Sequence, residues 1–390
     1  MEKTNFNDEF FMRKAIELAK IATGFTSPNP LVGCVIVKDG EIIGQGYHHE
    51  AGKSHAEIEA INNAYESGNA AKIPGSCLYV NLEPCSHFGK TPPCANRLVQ
   101  EKISRVVIAM RDPNELVNGK GVNILREANI EVVESCLESE ARWLNRGFVK
   151  FHTHGRPWVN LKAASSLDGK LALKNGISKW LSGEKSRVKA HMLRAENDAV
   201  LVGVNTVLND DPELTVRISA DNHEFHNPKR VILDRFLRTP VDAKIINSDG
   251  KCVIFCGEFT SSKDESEKAK KFRDLGVKVI ESCLDTTPPL RNGEIGELIL
   301  APILEHLARE EGVMNLLVEG GAKILNSFIR ENLADYMYVF FAPKIIGEGL
   351  SFGTGLSLRD LSGAKILRDV KSEMFDQDVL IEGRFECSQD

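Results

Sequence analysis

The chain is 390 residues long, with 49 Lys and Arg against 55 Asp and Glu and a formal net charge of −6. That length exceeds one ordinary core and predicts two or three domains, while the interspersed charges form no basic stripe and argue against nucleic acid as the main partner. No apolar run nears the roughly 18 residues of a membrane span, no charged-then-apolar leader precedes Phe10, and nine scattered cysteines fit reduced thiols in a cytoplasm.

Along the first half, helix and strand alternate. Phe11, Ala15, Leu18, Ala19 and Ala22 recur at helical spacing behind Asp8, which reads as the N-cap. Residues 31–37 and 41–47 flank Asp39-Gly40 and read as a hairpin. A helix opens at His55 and runs through Ile58, Ile61 and Tyr65. Residues 77–82 read as a strand, with Pro84-Cys85 at a helix entrance behind it, and residues 105–110 and 130–133 read as further strands. The pattern predicts an α/β fold with a mixed sheet.

Between Glu138 and Arg156 a short helix carrying Trp143 and Leu144 gives way to a linker, in which His152 and His154 read as solvated rather than as ligands. The expected domains are therefore residues 1–150 and 151–390. The second half starts with a strand at 158–163, then a helix over about 182–195 and strands at 199–203, 230–233 and 252–255. Cys252 and Cys256 share one face of the last of these and read as core. A charged helix follows near 265–275. The strand 316–318 then ends in Glu319-Gly320-Gly321, and another helix begins at Lys323.

The residues richest in chemistry are His55, Glu57, Cys85 and Cys94. One imidazole and two thiolates suit Zn²⁺ and leave a fourth position for water. Zinc so held lowers the pKa of that water towards about 7, and Glu57, two residues beyond the histidine, is placed to shuttle its protons. H-x-E followed by P-C-x-x-C marks the zinc nucleobase deaminases, and this chain departs from it only in the longer gap between its cysteines. Asn29, in Ser27-Pro28-Asn29-Pro30, reads equally as a hydrogen-bonding partner of substrate or as a turn residue. Glu319-Gly320-Gly321-Ala322 lets backbone approach a pyrophosphate at a helix start, or is merely a turn. It is no G-x-G-x-x-G fingerprint. Ser178, Arg194 and Arg217 are candidates for a substrate phosphate.

Taken together the blocks resemble the bifunctional deaminase–reductases of riboflavin biosynthesis. The first half carries Pro28-Asn29-Pro30-Leu31-Val32-Gly33-Cys34, Gly46-Tyr47-His48, His55-Ala56-Glu57, Leu82-Glu83-Pro84-Cys85-Ser86-His87 and Thr91-Pro92-Pro93-Cys94. The second carries Ser166-Leu167-Asp168-Gly169, Lys179-Trp180, Thr206-Val207-Leu208, Asp210-Asp211-Pro212, Leu214-Thr215-Val216-Arg217 and Glu319-Gly320-Gly321. The resemblance implies a cytidine-deaminase-like α/β/α domain followed by a dihydrofolate-reductase-like α/β domain. The first would deaminate 2,5-diamino-6-(5-phosphoribosylamino)pyrimidin-4-one by hydrolysis, and the second would use NADPH to reduce the ribosyl chain of the product to ribityl.

It implies His55, Cys85 and Cys94 as zinc ligands and Glu57 as proton shuttle. NADPH would meet Ala164, Trp180, Thr206, Asp210 and the run Gly321, Ala322, Lys323, Ile324, Leu325, Asn326, Ser327. Substrate would meet Asn29 in the first domain and Ser178, Arg194, Leu214, Arg217 and Glu319 in the second, with Lys162 facing the ribose. Arg235 stands where the family usually has a cofactor-contacting serine, and either pairs with the 2′-phosphate or points to solvent. The expected partners are phosphorylated pyrimidines, with no nucleic acid and no membrane. A homo-oligomer is expected, with the apolar strand 336–342 a candidate interface. Two rivals stand beside this reading. A nucleic-acid editing deaminase needs a basic face and leaves the second domain unexplained; a structural zinc protein needs a fourth ligand, for which His87 is the nearest candidate.

Overall fold

Asp39 and Gly40 both have positive φ, 51° and 82°, the backbone of a type I′ turn whose twist matches the strands it joins. Those strands, β1 (Gly33–Lys38) and β2 (Glu41–Tyr47), pair antiparallel, as the Asp-Gly turn between them predicts. A computed structural model describes residues 6–86, 93–115, 117–220, 223–246, 249–257, 263–285, 296–353, 356, 359–386 and 388. The chain divides into two units, Met1–Gly155 and Arg156–Asp390.

In the first unit the hairpin joins β3 (Cys77–Leu82), β4 (Arg105–Met110) and β5 (Glu131–Val133) in the order β2-β1-β3-β4-β5 among the described residues. β3, β4 and β5 run parallel. One face buries Ile36, Val80 and Ile108 against α2 (Ala56–Glu66), α3 (Cys94–Gln100) and α4 (Lys120–Glu127). The other carries α1 (Phe6–Lys20) and α5 (Glu138–Leu144), which contact each other and the same strands. Gly46 is required here: a Cβ would lie 2.5 Å from the Ala60 nitrogen, so only glycine lets β2 approach α2 this closely.

Two expectations are corrected. Asp8 is not the N-cap residue, because it lies inside α1, which has begun by Phe6; its buried carboxylate accepts from Tyr79 Oη at 2.9 Å and Arg105 Nη1 at 2.7 Å. The expected linker is helical: α6 (Arg146–His154) follows α5 directly and ends at Gly155, whose φ is 64°. Its turn buries Phe148 and Val149, and that apolar burial outweighs the polar sequence around it.

The second unit begins with β6 (Trp158–Ser166), β7 (Lys170–Leu173), α7 (Glu184–Ala195), β8 (Ala199–Gly203) and α8 (Val204–Asp210). After the short pair β9 (Ser219–Ala220) and β10 (His223–Glu224) come β11 (Lys229–Leu233), β12 (Cys252–Cys256), α9 (Lys263–Asp274) and β13 (Lys278–Glu281). The pair β14 (Leu284–Asp285) and β15 (Glu297–Leu298) precedes α10 (Leu300–Arg309), β16 (Asn315–Val318), α11 (Ala322–Arg330) and β17 (Tyr336–Ala342). β18 (Gly349–Ser351), β19 (Leu367–Phe375) and β20 (Asp378–Phe385) close the chain.

Among the described residues the main sheet runs β13-β12-β11-β8-β16-β6-β17-β20-β19. The strands from β13 to β17 are parallel, and β20 and β19 antiparallel. Helices α10 and α11 bury Leu304 and Phe328 on one face, and α7, α8 and α9 bury Leu193, Val207 and Phe272 on the other. Cys252 and Cys256 are in that second core, as expected. The strand read as a candidate interface, β17, is interior: it pairs with β6 and β20, and burial of both its faces explains its continuous apolar run.

Candidate functional site

In the first unit three chain segments converge on one point. His55 is the N-cap residue of α2, Cys94 is the first residue of α3, and Cys85 lies in the irregular stretch after β3. Cys85 itself has irregular backbone, the helix entrance expected behind it falling on residues 87–92, outside the described residues. The Cys85 sulfur meets the start of α3, accepting from the Cys94 N–H at 3.2 Å, and an exposed helix N–H favours a thiolate. His55 Nδ1 lies 3.5 Å from Cys85 Sγ and 3.3 Å from Cys94 Sγ. All three donor atoms fall within 4.8 Å of one another, and no fourth His, Cys or carboxylate joins them among the described residues. His87 lies outside the described residues.

The proton affinities of these three donors are tied together by their contacts. Hydrogen bonding from the Cys94 thiol, helped by His55, draws Cys85 down to about 4. The same contact pushes Cys94 far up, and Cys85 raises His55 to about 9. The three donors thus compete for protons, and binding of a dication to this set would release them. This donor set fits zinc with an open position.

Glu57, in the first turn of α2, is buried beside the cluster; burial, then the Cys85 charge, pushes it up to about 7. That lies in the range where a carboxylate both takes and returns protons near neutral pH. Asn29 also arrives here. Its Nδ2 donates to His48 Nε2 at 2.9 Å, so the Pro-Asn-Pro turn is tied to the segment leading to His55. Sequence reasoning assigned no role to His48, although its place after Gly46-Tyr47 is a signal that it follows a strand end.

The second unit holds a cavity of about 760 Å³ at the carboxyl ends of β8, β11 and β16, where open parallel sheets bind ligands. Eight Lys and Arg line it against three Asp and Glu. That excess, in a chain of net charge −6, suits polyanions. Ala164, Trp180, Thr206, Asp210, Gly321, Ala322, Lys323, Ile324 and Ser327 line it, as do Lys162, Ser178, Arg194, Leu214, Arg217 and Glu319.

Leu325 and Asn326 do not line it. Leu325 is fully buried in the core, and Asn326 is turned inward to donate to the Phe352 carbonyl at 2.9 Å. Arg235 lines the cavity rather than facing solvent. Its Nη1 donates to the Gly296 carbonyl at 2.6 Å and its guanidinium lies 4.2 Å from the Phe236 ring centre.

At the cavity floor Arg194 grips Glu319 with Nε–Oε1 2.5 Å and Nη2–Oε2 3.0 Å, and Lys162 Nζ lies 3.7 Å from Glu319 Oε2. Burial pushes Glu319 up, but Arg194 and then Lys162 outweigh it and hold the carboxyl at about 2. Burial pushes Lys162 down against the pull of Glu319. His191 was missed. It lines the cavity one turn before Arg194 on α7, and its Nδ1 accepts from the Arg217 N–H at 3.3 Å. The three-residue spacing to Arg194 places both on one helix face.

Residues 6–110 match the cytidine and deoxycytidylate deaminase zinc-binding region, and residues 157–381 match the RibD C-terminal domain. The riboflavin biosynthesis protein RibD of Aquifex aeolicus is 45% identical over 374 residues, 96% of this chain and 97% of that protein. The chain belongs to the RibD family. RibD of Bacillus amyloliquefaciens is 41% identical over 95% of this chain and 92% of that protein. The structure of Acinetobacter baumannii RibD, form 1, superposes with a TM-score of 0.85 at 37% identity, covering 98% of this chain and 99% of that one. A Thermotoga maritima diaminohydroxyphosphoribosylaminopyrimidine deaminase/5-amino-6-(5-phosphoribosylamino)uracil reductase gives 0.82 at 38% identity, covering 97% and 99%. The fold is thus the expected pair, a cytidine-deaminase-like unit and a RibD reductase unit.

Proposed function

We propose that this RibD-family protein catalyses two consecutive steps of riboflavin biosynthesis. The first unit hydrolytically deaminates 2,5-diamino-6-(5-phosphoribosylamino)pyrimidin-4-one, and the second reduces the ribosyl chain of the resulting uracil with NADPH. The observation that carries the reading is the convergence of His55, Cys85 and Cys94 beside buried Glu57. Zinc, when bound there, supplies an electrophilic centre that acidifies a water. Glu57 takes that water's proton and returns protons to the ring nitrogen and the departing amine. Asn29 hydrogen-bonds the pyrimidine.

In the second unit the cationic cavity supports an NADPH site along Ala164, Trp180, Thr206, Asp210 and the start of α11, where the main-chain N–H groups of a helix N-terminus would favour an anion. Arg217 and Ser178 bind the substrate phosphate, while Glu319, held by Arg194, keeps Lys162 towards the ribose. Hydride transfer then requires orientation and exclusion of water. Editing of nucleic acid gains no support, since it leaves this cavity without a role. A structural zinc site lacks a fourth ligand among the described residues. No helix among the described residues is long and apolar enough to cross a membrane, and we place the enzyme in the cytoplasm. A homo-oligomer is supported by the outer strand β19, whose Val370 and Met374 are 55% and 61% exposed.

The test is to supply the diaminopyrimidine with NADPH and follow ammonia release and NADPH oxidation separately, with and without a chelator. Chelation should abolish ammonia release and with it the coupled NADPH oxidation, and oxidation should return at the full rate when the deaminated uracil is added directly. Ammonia release that survives complete removal of metal refutes the zinc reading.

A further inference from the structure

Glu83 is buried, and the mechanism above does not use it. Its main chain extends β3 alongside β4, with its N–H donating to the Met110 carbonyl at 3.0 Å. Its carboxylate accepts four main-chain N–H groups. Oε2 takes those of Asp112 at 3.2 Å and Gly119 at 2.9 Å. Oε1 takes those of Gly121 at 2.9 Å and Val122 at 3.2 Å. Gly121 and Val122 belong to the first turn of α4, whose N-cap, Gly119, has no side chain to satisfy them. Glu83 is thus a helix cap supplied from another strand, and an anion there is favoured by the helix dipole.

The next residue is held against the same turn. A Cβ on Gly121 would lie 2.0 Å from the Pro84 carbonyl oxygen, so Pro84 rests directly on the backbone of α4. Cys85 follows at once. Its carbonyl accepts from the Ala95 N–H at 3.2 Å, and its sulfur from the Cys94 N–H. Cys85 is therefore fixed between two helix starts: α3 on one side, and α4 through Glu83 and Pro84 on the other.

We infer that Glu83 is a positioning residue of the metal centre, holding Cys85 at bonding distance from the ion by clamping the first turn of α4. The inference rests on the zinc reading proposed above. Partners beyond the direct ligands typically contribute 10- to 100-fold in metal affinity, and Glu83→Gln removes this one selectively. The amide turns an N–H donor towards two N–H donors, so half the clamp becomes repulsive.

The experiment measures Zn²⁺ affinity of the full chain by chelator competition, and the thiolate-to-metal absorption of the Co²⁺-loaded protein. Glu83→Gln should bind Zn²⁺ about 10- to 100-fold more weakly and shift the Co²⁺ band. Asp8→Asn, which breaks a different buried carboxylate in the same unit, should change neither. Wild-type affinity in Glu83→Gln, or an equal loss in Asp8→Asn, overturns the inference.

A second measurement needs no variant. Binding linkage is reciprocal, so Zn²⁺ should slow hydrogen exchange at the amides of Gly119, Gly121 and Val122 in the wild-type chain. Exchange there that ignores Zn²⁺ also overturns it. If the wild-type chain binds no Zn²⁺ at all, the zinc reading falls together with this one. If it binds Zn²⁺ and the variant binds it equally, only the positioning role falls.

Discussion

Asn29 donates through Nδ2 to Nε2 of His48, and His48 Nδ1 faces the Ser54 carbonyl at 2.9 Å. A carbonyl only accepts, so the proton resides on Nδ1 and Nε2 is the acceptor; the tautomer follows from the partners. Burial also pushes His48 below the usual imidazole range, which keeps the ring neutral. With Nδ2 so engaged, the Asn29 carbonyl oxygen is the group that would accept from a substrate N–H in the function proposed above. Asn29→Ala should raise KM for deamination about five- to tenfold, the worth of one hydrogen bond of roughly 1 kcal/mol or slightly more. Its zinc content should stay that of the wild type; an unchanged KM removes Asn29 from the site.

Glu57→Gln should keep its zinc and lose deamination by about 10²- to 10⁴-fold, the usual contribution of a positioned proton carrier. Reduction of deaminated substrate should continue at the wild-type rate. Both follow from one preparation assayed for metal, ammonia and NADPH oxidation. Wild-type ammonia release would transfer the proton shuttle to another group.

Arg217 Nη1 spends its charge in an exposed pair with Glu213 at 3.0 Å. Such pairs contribute only about 0–1 kcal/mol, so little would be lost if the guanidinium turned to the substrate phosphate proposed for it. Arg217→Ala should raise the reductase KM for substrate about 10- to 100-fold, as expected for loss of a charged hydrogen bond. The KM for NADPH should not move. Steady-state kinetics with each substrate varied in turn would show whether the two effects separate.

Glu319 makes acid stability testable. Its folded value of about 2 lies below the ordinary 4.5, so its contribution is fully present above pH 4.5 and is lost as pH falls towards 2. At order of magnitude this is about 3 kcal/mol. Glu319→Gln should flatten that part of the pH profile. It should also destabilise the protein near neutrality by roughly 3–5 kcal/mol, because Lys162 and Arg194 keep their buried charges without a partner. Urea midpoints at a series of pH values decide it, and parallel profiles for the two proteins would contradict the assignment.

Leu325→Ala should cost about 2–5 kcal/mol of stability, as for other buried leucines. The affinity for NADPH should hold, because this side chain faces the core. Thermal unfolding and a NADPH titration on the same variant separate the two effects. A large loss of NADPH affinity at unchanged stability would return Leu325 to the cavity.

The residue order alone determined the alternating α/β pattern, the hairpin at Asp39-Gly40 and the set His55, Glu57, Cys85 and Cys94. Each of these depends on chemistry carried by near neighbours: a turn needing positive φ, a carboxylate two positions from an imidazole, donors of matched softness. Tertiary structure alone decided the rest. A helix turns about 100° per residue, so seven consecutive residues from Gly321 to Ser327 cannot all face one cavity, and Leu325 and Asn326 turn inward. Asp8 meets Arg105 and Arg194 meets Glu319 across separations of 97 and 125 residues. Glu83 finds its four amides 29 to 39 positions away. No local pattern encodes such pairings, because a buried carboxylate takes whichever donors the packed chain brings within reach.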